Sequence, residues 1–168
     1  MAVRPVLRYP HPALKRKAVS LSPDEQERIE SVAGDLIDTM HAHQGCVGLA
    51  APQIDEIVRI VVVDVTGHRR ATKSNGLLVL VDPAVVAAEG SEVAREGCLS
   101  IPDLTANVRR ATRITVEGRT PAGDARSFES EGFEARCLLH EIDHLDGILF
   151  LDRVDSLTAD VFRRKRYQ

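Results

Sequence analysis

Apolar residues recur every three or four positions in two segments of the chain, a spacing typical of helices that bury one face. The first predicted helix covers residues 23–43, and Ser22 with Glu25 three positions later matches the capping pattern of a helix start. Its apolar stripe consists of Ile29, Val32, Ala33, Leu36, Ile37 and Met40. The second predicted helix covers residues 133–146 and ends before Gly147.

Other segments are rich in β-branched residues or alternate between apolar and polar positions, as strands do. The predicted strands are 57–65, 77–86, 92–96, 112–116 and 127–129. Pro121, Gly123 and Asp124 lie between the last two strands and predict a turn, so these two strands are expected to form a hairpin.

The order of these elements predicts an α+β fold, because the strands do not alternate strictly with helices. The chain has 168 residues, a length that fits one domain over 1–168. We expect antiparallel or mixed sheets around the central helix 133–146, with the amphipathic helix near the N-terminus. An extended arm over residues 1–21 and a short C-terminal helix near residues 156–165 complete the predicted fold.

Composition narrows the classes of function. The chain has 22 basic and 25 acidic residues, a formal net charge of -3, so a surface built to bind nucleic acid is not expected and neither is specific DNA binding. Its apolar runs are far shorter than the ~20 residues of a membrane helix. The three cysteines, Cys46, Cys98 and Cys137, are odd in number and widely spaced, which favours a reducing compartment and hence the cytoplasm.

His140, Glu141 and His144 form the sequence HEIDH inside the second predicted helix. Residues four positions apart lie on the same face of a helix, so both imidazoles can bind one metal ion. The neighbouring carboxylate of Glu141 can accept the proton of a water molecule on that metal. The motif therefore predicts a metal-dependent hydrolase.

A catalytic site of this kind usually has a third protein ligand. Metzincin proteases carry a histidine at the position of Phe150, which cannot bind a metal, so that class is excluded. Thermolysin-like enzymes need an acidic ligand from a later helix, and the acids in the short segment after His144 are poorly placed for it. Cys98 is the strongest remaining candidate, because Gly97 lets the backbone approach a metal closely and a thiolate would complete a Cys-His-His site.

Three motifs together resemble bacterial peptide deformylases: GLAAPQ at 48–53, EGCLS at 96–100 and HEIDH at 140–144. They occur in that family's order and cover essentially the whole chain. The family has an α+β fold and removes the formyl group from the N-terminal formylmethionine of new polypeptides. The resemblance implies that the metal ligands are Cys98, His140 and His144.

The resemblance also implies a division of catalytic roles. A hydroxide on the metal attacks the formyl carbon, while Glu141 accepts a proton and returns it to the leaving amine. The side-chain amide of Gln53 and the backbone N–H of Leu99 stabilise the negative oxygen that forms. The family is known for Fe(II), and one thiolate with two imidazoles also suits Zn, Ni or Co in a purified sample.

The expected substrate is a nascent peptide that begins with formylmethionine, and its backbone is expected to pair with the chain near Val47 and Gly97. The methionine side chain then needs an apolar pocket. The residues assigned to substrate binding are Val47, Gly48, Gly97, Leu99, Phe133 and Cys137. For Cys137 alone, plain core filling is the competing interpretation.

One position departs from the bacterial pattern, because Cys46 stands where members usually have glycine. If that glycine is needed because the backbone has a positive φ, cysteine strains the loop. If it is needed because the backbone lies close to the pocket, the side chain of cysteine narrows the pocket mouth. Asp143 either orients a metal-binding imidazole or is a solvated residue of the helix. Glu96 is expected to pair with Arg110. The basic cluster 163–166 is a candidate for docking to the ribosome.

Two other functions fit the same motifs. An HExxH endopeptidase would cleave internal peptide bonds. A degenerate relative would use its metal only to stabilise the fold or to bind peptide.

Overall fold

The computed structural model describes residues 1–165 and contains two helices and eight strands within them. The helices are α1 (Gln26–Ala42) and α2 (Gly132–Leu145). The strands are β1 (Gly48–Ala50), β2 (Ile60–Val63), β3 (Leu78–Glu89), β4 (Glu92–Cys98), β5 (Ile101–Arg110), β6 (Arg113–Arg119), β7 (Ala125–Glu131) and β8 (Val161–Arg163). Short 3-10 turns occupy Pro12–Lys15, Pro23–Glu25, Ala51–Ile54 and Phe150–Arg153.

The strands form two antiparallel sheets. The larger sheet has the order β1-β2-β3-β6-β7, and the smaller has the order β4-β5-β8. Strands β1 and β4 are therefore edge strands of their respective sheets. This all-antiparallel α+β arrangement confirms the predicted fold class.

The two helices cover opposite faces of the larger sheet. Val61 and Val63 of β2 pack in one apolar cluster with α2, and Ile60 and Val62 pack in a second cluster with α1. Because β2 is covered on both faces, all four of its residues are apolar and buried.

Helix α2 separates the two sheets, and its sequence explains how it can do so. One face carries Leu138, Ile142 and Leu145, which pack on the larger sheet. The opposite face carries His140 and His144, which are also buried. A helix with a polar face that is nevertheless buried must satisfy that face with partners, and those partners come from the smaller sheet.

The two amphipathic helices predicted at 23–43 and 133–146 are present, and so are the five predicted strands. The capping pattern at Ser22 is realised, since its N–H donates to Glu25 and its hydroxyl accepts from the N–H of Asp24. The hairpin of β6 and β7 is confirmed by a continuous antiparallel register. Strands β1 and β5 were not predicted.

The predicted C-terminal helix is wrong. Residues 157–159 form a turn, and β8 follows as a three-residue strand. Phe162 lies opposite Thr105 of β5, and the carbonyl of Asp160 accepts from the N–H of Asn107. Pairing with the open edge of β5 thus overrides the weak local preference for helix. No helix within the described residues is long and apolar enough to cross a membrane.

Candidate metal centre

Three buried side chains from two elements converge between α2 and the smaller sheet. Cys98 is the last residue of β4, and His140 and His144 lie one turn apart on α2. One ligand atom from each lies within 4.8 Å of the other two. The Sγ of Cys98 is 3.4 Å from Nε2 of His144. The fold therefore brings together the three residues that the family resemblance implied as metal ligands.

The position of Cys98 depends on a tight hairpin. Cys98 pairs with Ile101 across the two-residue turn Leu99-Ser100, where β4 ends and β5 begins. A two-residue turn fixes the direction of the residues that flank it, so the thiol is set by backbone geometry rather than by a loop. Cys98 is only 7% exposed.

Glu96 holds the centre together, and it does so with three cationic or polar partners. Its Oε1 lies 2.9 Å from Nδ1 of His140, and its two oxygens accept from Nε and Nη2 of Arg110 at 2.9 Å each. Arg136 donates to it at 2.7 Å. The predicted pairing of Glu96 with Arg110 is confirmed; the contact with His140 was not predicted. Burial alone would raise the pKa of Glu96, but the bonds to His140 and Arg110 hold that pKa well below its usual range.

This contact decides which nitrogen of His140 is available. Since Nδ1 is held by Glu96, Nε2 is the nitrogen left to bind a metal. A carboxylate behind a metal-binding histidine fixes the ring's orientation and increases its basicity.

Neither interpretation of Asp143 is correct, because it is buried and contacts no imidazole of the described residues. Its carboxylate accepts from Arg110 and from Arg153, so it is bonded to guanidinium groups instead. It supports the site indirectly, because it shares Arg110 with Glu96.

Gln53 lies directly against the thiol. Its Nε2 is 3.4 Å from Sγ of Cys98 and 3.1 Å from Oγ of Ser100, and its Oε1 accepts from the N–H of Ala50. The N-terminal arm fastens the same two loops, because the N–H of Leu7 donates to Gln53 O and that of Tyr9 to Ser100 O. The arm therefore has a definite structural role beside the site.

Glu141 is buried with one oxygen unsatisfied. Its Oε1 has no hydrogen-bond partner among the described residues and lies 3.9 Å from Nε2 of His144. Burial raises the pKa of Glu141 to about 7. A Cβ on Gly48 would come within 2.7 Å of Oε2, so β1 can pass this close to the carboxylate only because residue 48 is glycine.

These residues fit a bound transition metal ion. One thiol and two imidazole nitrogens are a donor set that Zn and Fe(II) accept. The unpaired carboxylate oxygen of Glu141 beside them would otherwise be an uncompensated buried acceptor. The site therefore has a ligand set and, next to it, a proton acceptor that the protein itself leaves unused.

A cleft of about 770 Å³, counted with its solvent-open mouth, leads to this centre. Six lining residues were predicted for substrate binding: Val47, Gly48, Gly97, Leu99, Phe133 and Cys137. Gln53 and His144 lie behind the lining. Four cationic lining residues were not predicted from the sequence, namely Arg70, Arg95, Arg136 and Arg164. Nothing in their local pattern separates them from ordinary surface arginines.

Cys46 also lines the cleft, and its backbone is unstrained. Asp55 and Asp82 are the non-glycine residues with positive φ in residues 1–165, whereas the neighbouring Gly45 has φ 79°. Of the two interpretations of this position, the structure therefore favours the second, in which the side chain of Cys46 narrows the mouth of the cleft. Burial raises the pKa of its thiol to about 12, so it is a poor nucleophile.

Comparison with known proteins gives one consistent family. The model of the polypeptide deformylase family matches residues 3–160. Peptide deformylase of Thermodesulfovibrio yellowstonii is 39% identical over 98% of this chain and 97% of its own, and that of Xylella fastidiosa strain M12 is 40% identical over 98% and 95%.

Solved structures agree with the sequence matches. A peptide deformylase from Legionella pneumophila has a TM-score of 0.83 at 36% identity, covering 93% of this chain and 88% of that one. A Met-Ala-Ser-bound class I type b peptide deformylase from Acinetobacter baumannii has a TM-score of 0.84 at 31% identity, covering 91% and 100%.

Proposed function

Because the chain belongs to the polypeptide deformylase family, we propose that its activity resides in the centre formed by Cys98, His140 and His144. The protein is a hydrolase that removes the N-formyl group from nascent peptides, the activity of this family. We assign the whole chain, 1–168, to one catalytic domain. The observation that carries the site assignment is the convergence of three ligand atoms within 4.8 Å beside an unpaired carboxylate.

The three ligands would hold the metal ion. When bound, such an ion polarises the formyl oxygen and makes water acidic enough to act as a nucleophile near neutral pH. Glu96 keeps the ring of His140 in position for this task, and Gln53 does the same for the thiol of Cys98.

Glu141 acts as the proton carrier. Its unpaired oxygen accepts a proton from the attacking water as the water oxygen bonds to the formyl carbon. The same carboxyl group then delivers that proton to the amine nitrogen as the carbon–nitrogen bond breaks. Formate and a peptide with a free amino terminus result, and Glu141 is again ionised. A pKa raised to about 7 suits a group that must both accept and release a proton.

Negative charge develops on the former formyl oxygen, and two groups at the cleft can stabilise it. The amide nitrogen of Gln53 lies beside the thiol, and the N–H of Leu99 sits in the hairpin turn next to it. Within residues 1–165 no backbone carbonyl accepts from Leu99. Losing one such donor typically costs about 3 kcal/mol of transition-state stabilisation.

The substrate enters as an extended chain between two sheet edges. Gly48 of β1 and Gly97 of β4 both border the cleft, and both strands lie at the edges of their sheets. Main-chain pairing there is tolerant of sequence, which suits nascent chains. The side chain of the first residue would then pack among Val47, Leu99, Phe133 and Cys137.

The decisive test is formate release from formyl-Met-Ala-Ser, measured beside cleavage of the same peptide without the formyl group. We expect formate from the first and no cleavage of the second. Cleavage of internal bonds in the unformylated peptide would instead indicate an endopeptidase. Metal-replete protein that binds the peptide without releasing formate would indicate a degenerate relative.

We propose Fe(II) as the metal in the cell, with Zn, Ni or Co possible after purification. One thiolate and two imidazoles accept all four ions, and the family favours ferrous iron. Protein prepared without oxygen and loaded with Fe(II) should turn over much faster than the Zn form. Equal rates at equal metal content would refute the choice of iron. A Cys98→Ser variant should lose metal by elemental analysis, whereas Cys46→Ser should keep it.

We place the activity in the cytoplasm, where nascent chains are made, and the free thiols of Cys46, Cys98 and Cys137 are compatible with a reducing compartment. The basic segment 163–166 remains a candidate for ribosome docking, although Arg166 lies outside the described residues. Co-sedimentation with ribosomes, compared between the full chain and a chain with Arg163 and Lys165 changed to Gln, tests that role.

A further inference from the structure

The cleft is bordered by charges of one sign. Its exposed charged lining residues are Arg70, Arg95 and Arg164. The two carboxylates that also line it, Glu96 and Glu141, are buried at 6% and 4% exposure. Glu96 is moreover neutralised by its bonds to guanidinium groups. A peptide in the cleft would therefore meet positive charge at the mouth, although the whole chain has a net charge of -3.

The C-terminal strand places Arg164 at the cleft. The N–H of Arg164 donates to Asp103 O, which continues the pairing of β8 with β5 by one residue. Side chains alternate between faces of a sheet, so Arg164 lies on the same face as Phe162 and reaches across β5 towards β4. Its guanidinium occupies the space where a Cβ on Gly97 would stand. The charge thus lies over the strand edge proposed to pair with the peptide.

Arg95 and Arg70 are fixed in place by uncharged partners. The guanidinium of Arg95 stacks 3.9 Å from the ring of Phe162 and donates to Oδ1 of Asn107 at 3.0 Å. Arg70 donates to Arg95 O at 3.0 Å and lies 4.7 Å over the ring of Phe133. Phe133 is also a wall of the proposed methionine pocket, so Arg70 sits beside the first residue of the substrate.

No carboxylate within residues 1–165 forms an ion pair with any of these three arginines. Two exposed arginines elsewhere on the surface are paired in this way: Arg109 with Asp155, and Arg113 with Glu129. The three therefore have charge to offer to a ligand, and their position at the mouth of the peptide cleft indicates which ligand.

We propose that Arg70, Arg95 and Arg164 form a cationic rim that selects formylated peptides with an acidic side chain in the second or third position. This inference rests on the proposed function. Arginine binds a carboxylate through charge-assisted hydrogen bonds, and a rim of one sign also attracts an anionic peptide before contact. The rim tunes which nascent chains are processed fastest, while the metal centre performs the same reaction on all of them.

The test uses the metal-loaded enzyme and formyl-Met peptides that carry Glu, Gln or Lys at position two or three. All peptides end in an amide, so that no terminal carboxylate can mimic the acidic side chain. At low ionic strength we expect kcat/KM for the Glu peptide to exceed that for the Lys peptide about tenfold. Added salt should shrink this ratio, because the Debye length falls to about 10 Å at 0.1 M.

Arg164→Gln should reduce the Glu-to-Lys ratio by a factor of about three, and the combined Arg70→Gln and Arg164→Gln variant should reduce it further. Arg163→Gln removes the same charge one residue away, on the opposite face of β8, and should leave the ratio unchanged. A ratio near one in the unmodified enzyme, or an equal loss in Arg163→Gln, would overturn the proposal.

The outcomes separate this proposal from the function itself. If the Gln peptide releases formate but the ratio is one, the deformylase activity stands and the rim has no role in selection. If no formyl peptide is processed, calorimetric binding of the same peptides still compares Glu with Lys directly. Loss of ribosome binding in Arg164→Gln without a change in ratio would assign the arginine to RNA and contradict the proposal.

Discussion

Strand β4 presents two different surfaces, and neighbouring residues on it have different tasks. Glu96 and Cys98 point inward, where they are buried and form part of the candidate metal centre. Arg95 and Gly97 point to the exposed face that borders the mouth of the cleft. Because side chains alternate along a strand, one short segment contributes both to the candidate metal centre and to the proposed peptide-binding surface.

The side chains on the two faces of β4 are also stabilised by different kinds of interaction. On the inner face, ion pairs such as Glu96 with Arg110 have both side chains only 5% exposed, so removing one partner leaves a buried charge. On the outer face, Arg95 is held by stacking on Phe162 and by hydrogen bonds to the uncharged side chains of Asn107 and Thr105, in contact with water. Substitutions on the inner side should therefore cost activity or stability, and those on the outer side should alter preference among substrates.

The largest effect is expected for Glu141→Gln, which removes the proton acceptor but keeps the side chain's shape. Formate release should fall by about 10²- to 10⁴-fold, the usual contribution of a general acid–base group. Metal content by elemental analysis should be unchanged, because Glu141 is not one of the three proposed ligands. Full activity in this variant would mean that another group carries the proton.

Glu96→Gln comes next, because it leaves Arg110 and Arg136 without their shared carboxylate. We expect a loss of about 3–5 kcal/mol in the free energy of unfolding, measured by chemical denaturation. Metal affinity should fall about 10- to 100-fold, since His140 loses the group that orients its ring. Glu89→Gln, which affects only an exposed pair with Arg113, is the matched control and should cost less than about 1 kcal/mol.

Gly48→Ala tests how closely β1 must approach the carboxylate of Glu141. The added methyl group would meet the carboxylate of Glu141, which is buried and has little room to move. Displacement of the carboxylate should lower kcat by about 10²-fold, and the crowding should cost about 1–3 kcal/mol in the free energy of unfolding. Near-normal turnover would show that Glu141 does not need its observed position.

The sequence predicted those elements whose stabilising pattern is local. Helix α1 has an apolar stripe and directly follows the 3-10 turn that Ser22 caps, and α2 has its periodicity and a terminal glycine. Strand β8 has neither, because three residues are too few for a pattern, and its identity depends on the edge of β5. The basic residues near the C-terminus are typical of the last turn of a helix, so the sequence alone predicts a helix here. Only the pairing with β5 shows that the segment is a strand.

The same distinction explains what could be predicted of the site. His140 and His144 are four residues apart on one helix, so their convergence follows from helical geometry alone. The bond from Glu96 to His140 joins residues 44 positions apart, and no local pattern indicates it. The position of Arg164 over Gly97 depends likewise on strand pairing between distant segments.

Gly97→Ala should have the smallest effect, and it tests the contrast between the faces most directly. The new methyl group would meet the end of a flexible, exposed arginine, which can swing away, so stability should change by less than about 0.5 kcal/mol. With Arg164 displaced, the preference for an acidic over a basic peptide should fall about two- to threefold, measured as the ratio of kcat/KM values. Turnover of an uncharged formyl peptide should remain close to normal, because alanine keeps the main-chain groups of residue 97. If that turnover dropped as far as in Gly48→Ala, the outer face would belong to the catalytic geometry and the division between the two faces of β4 would be wrong.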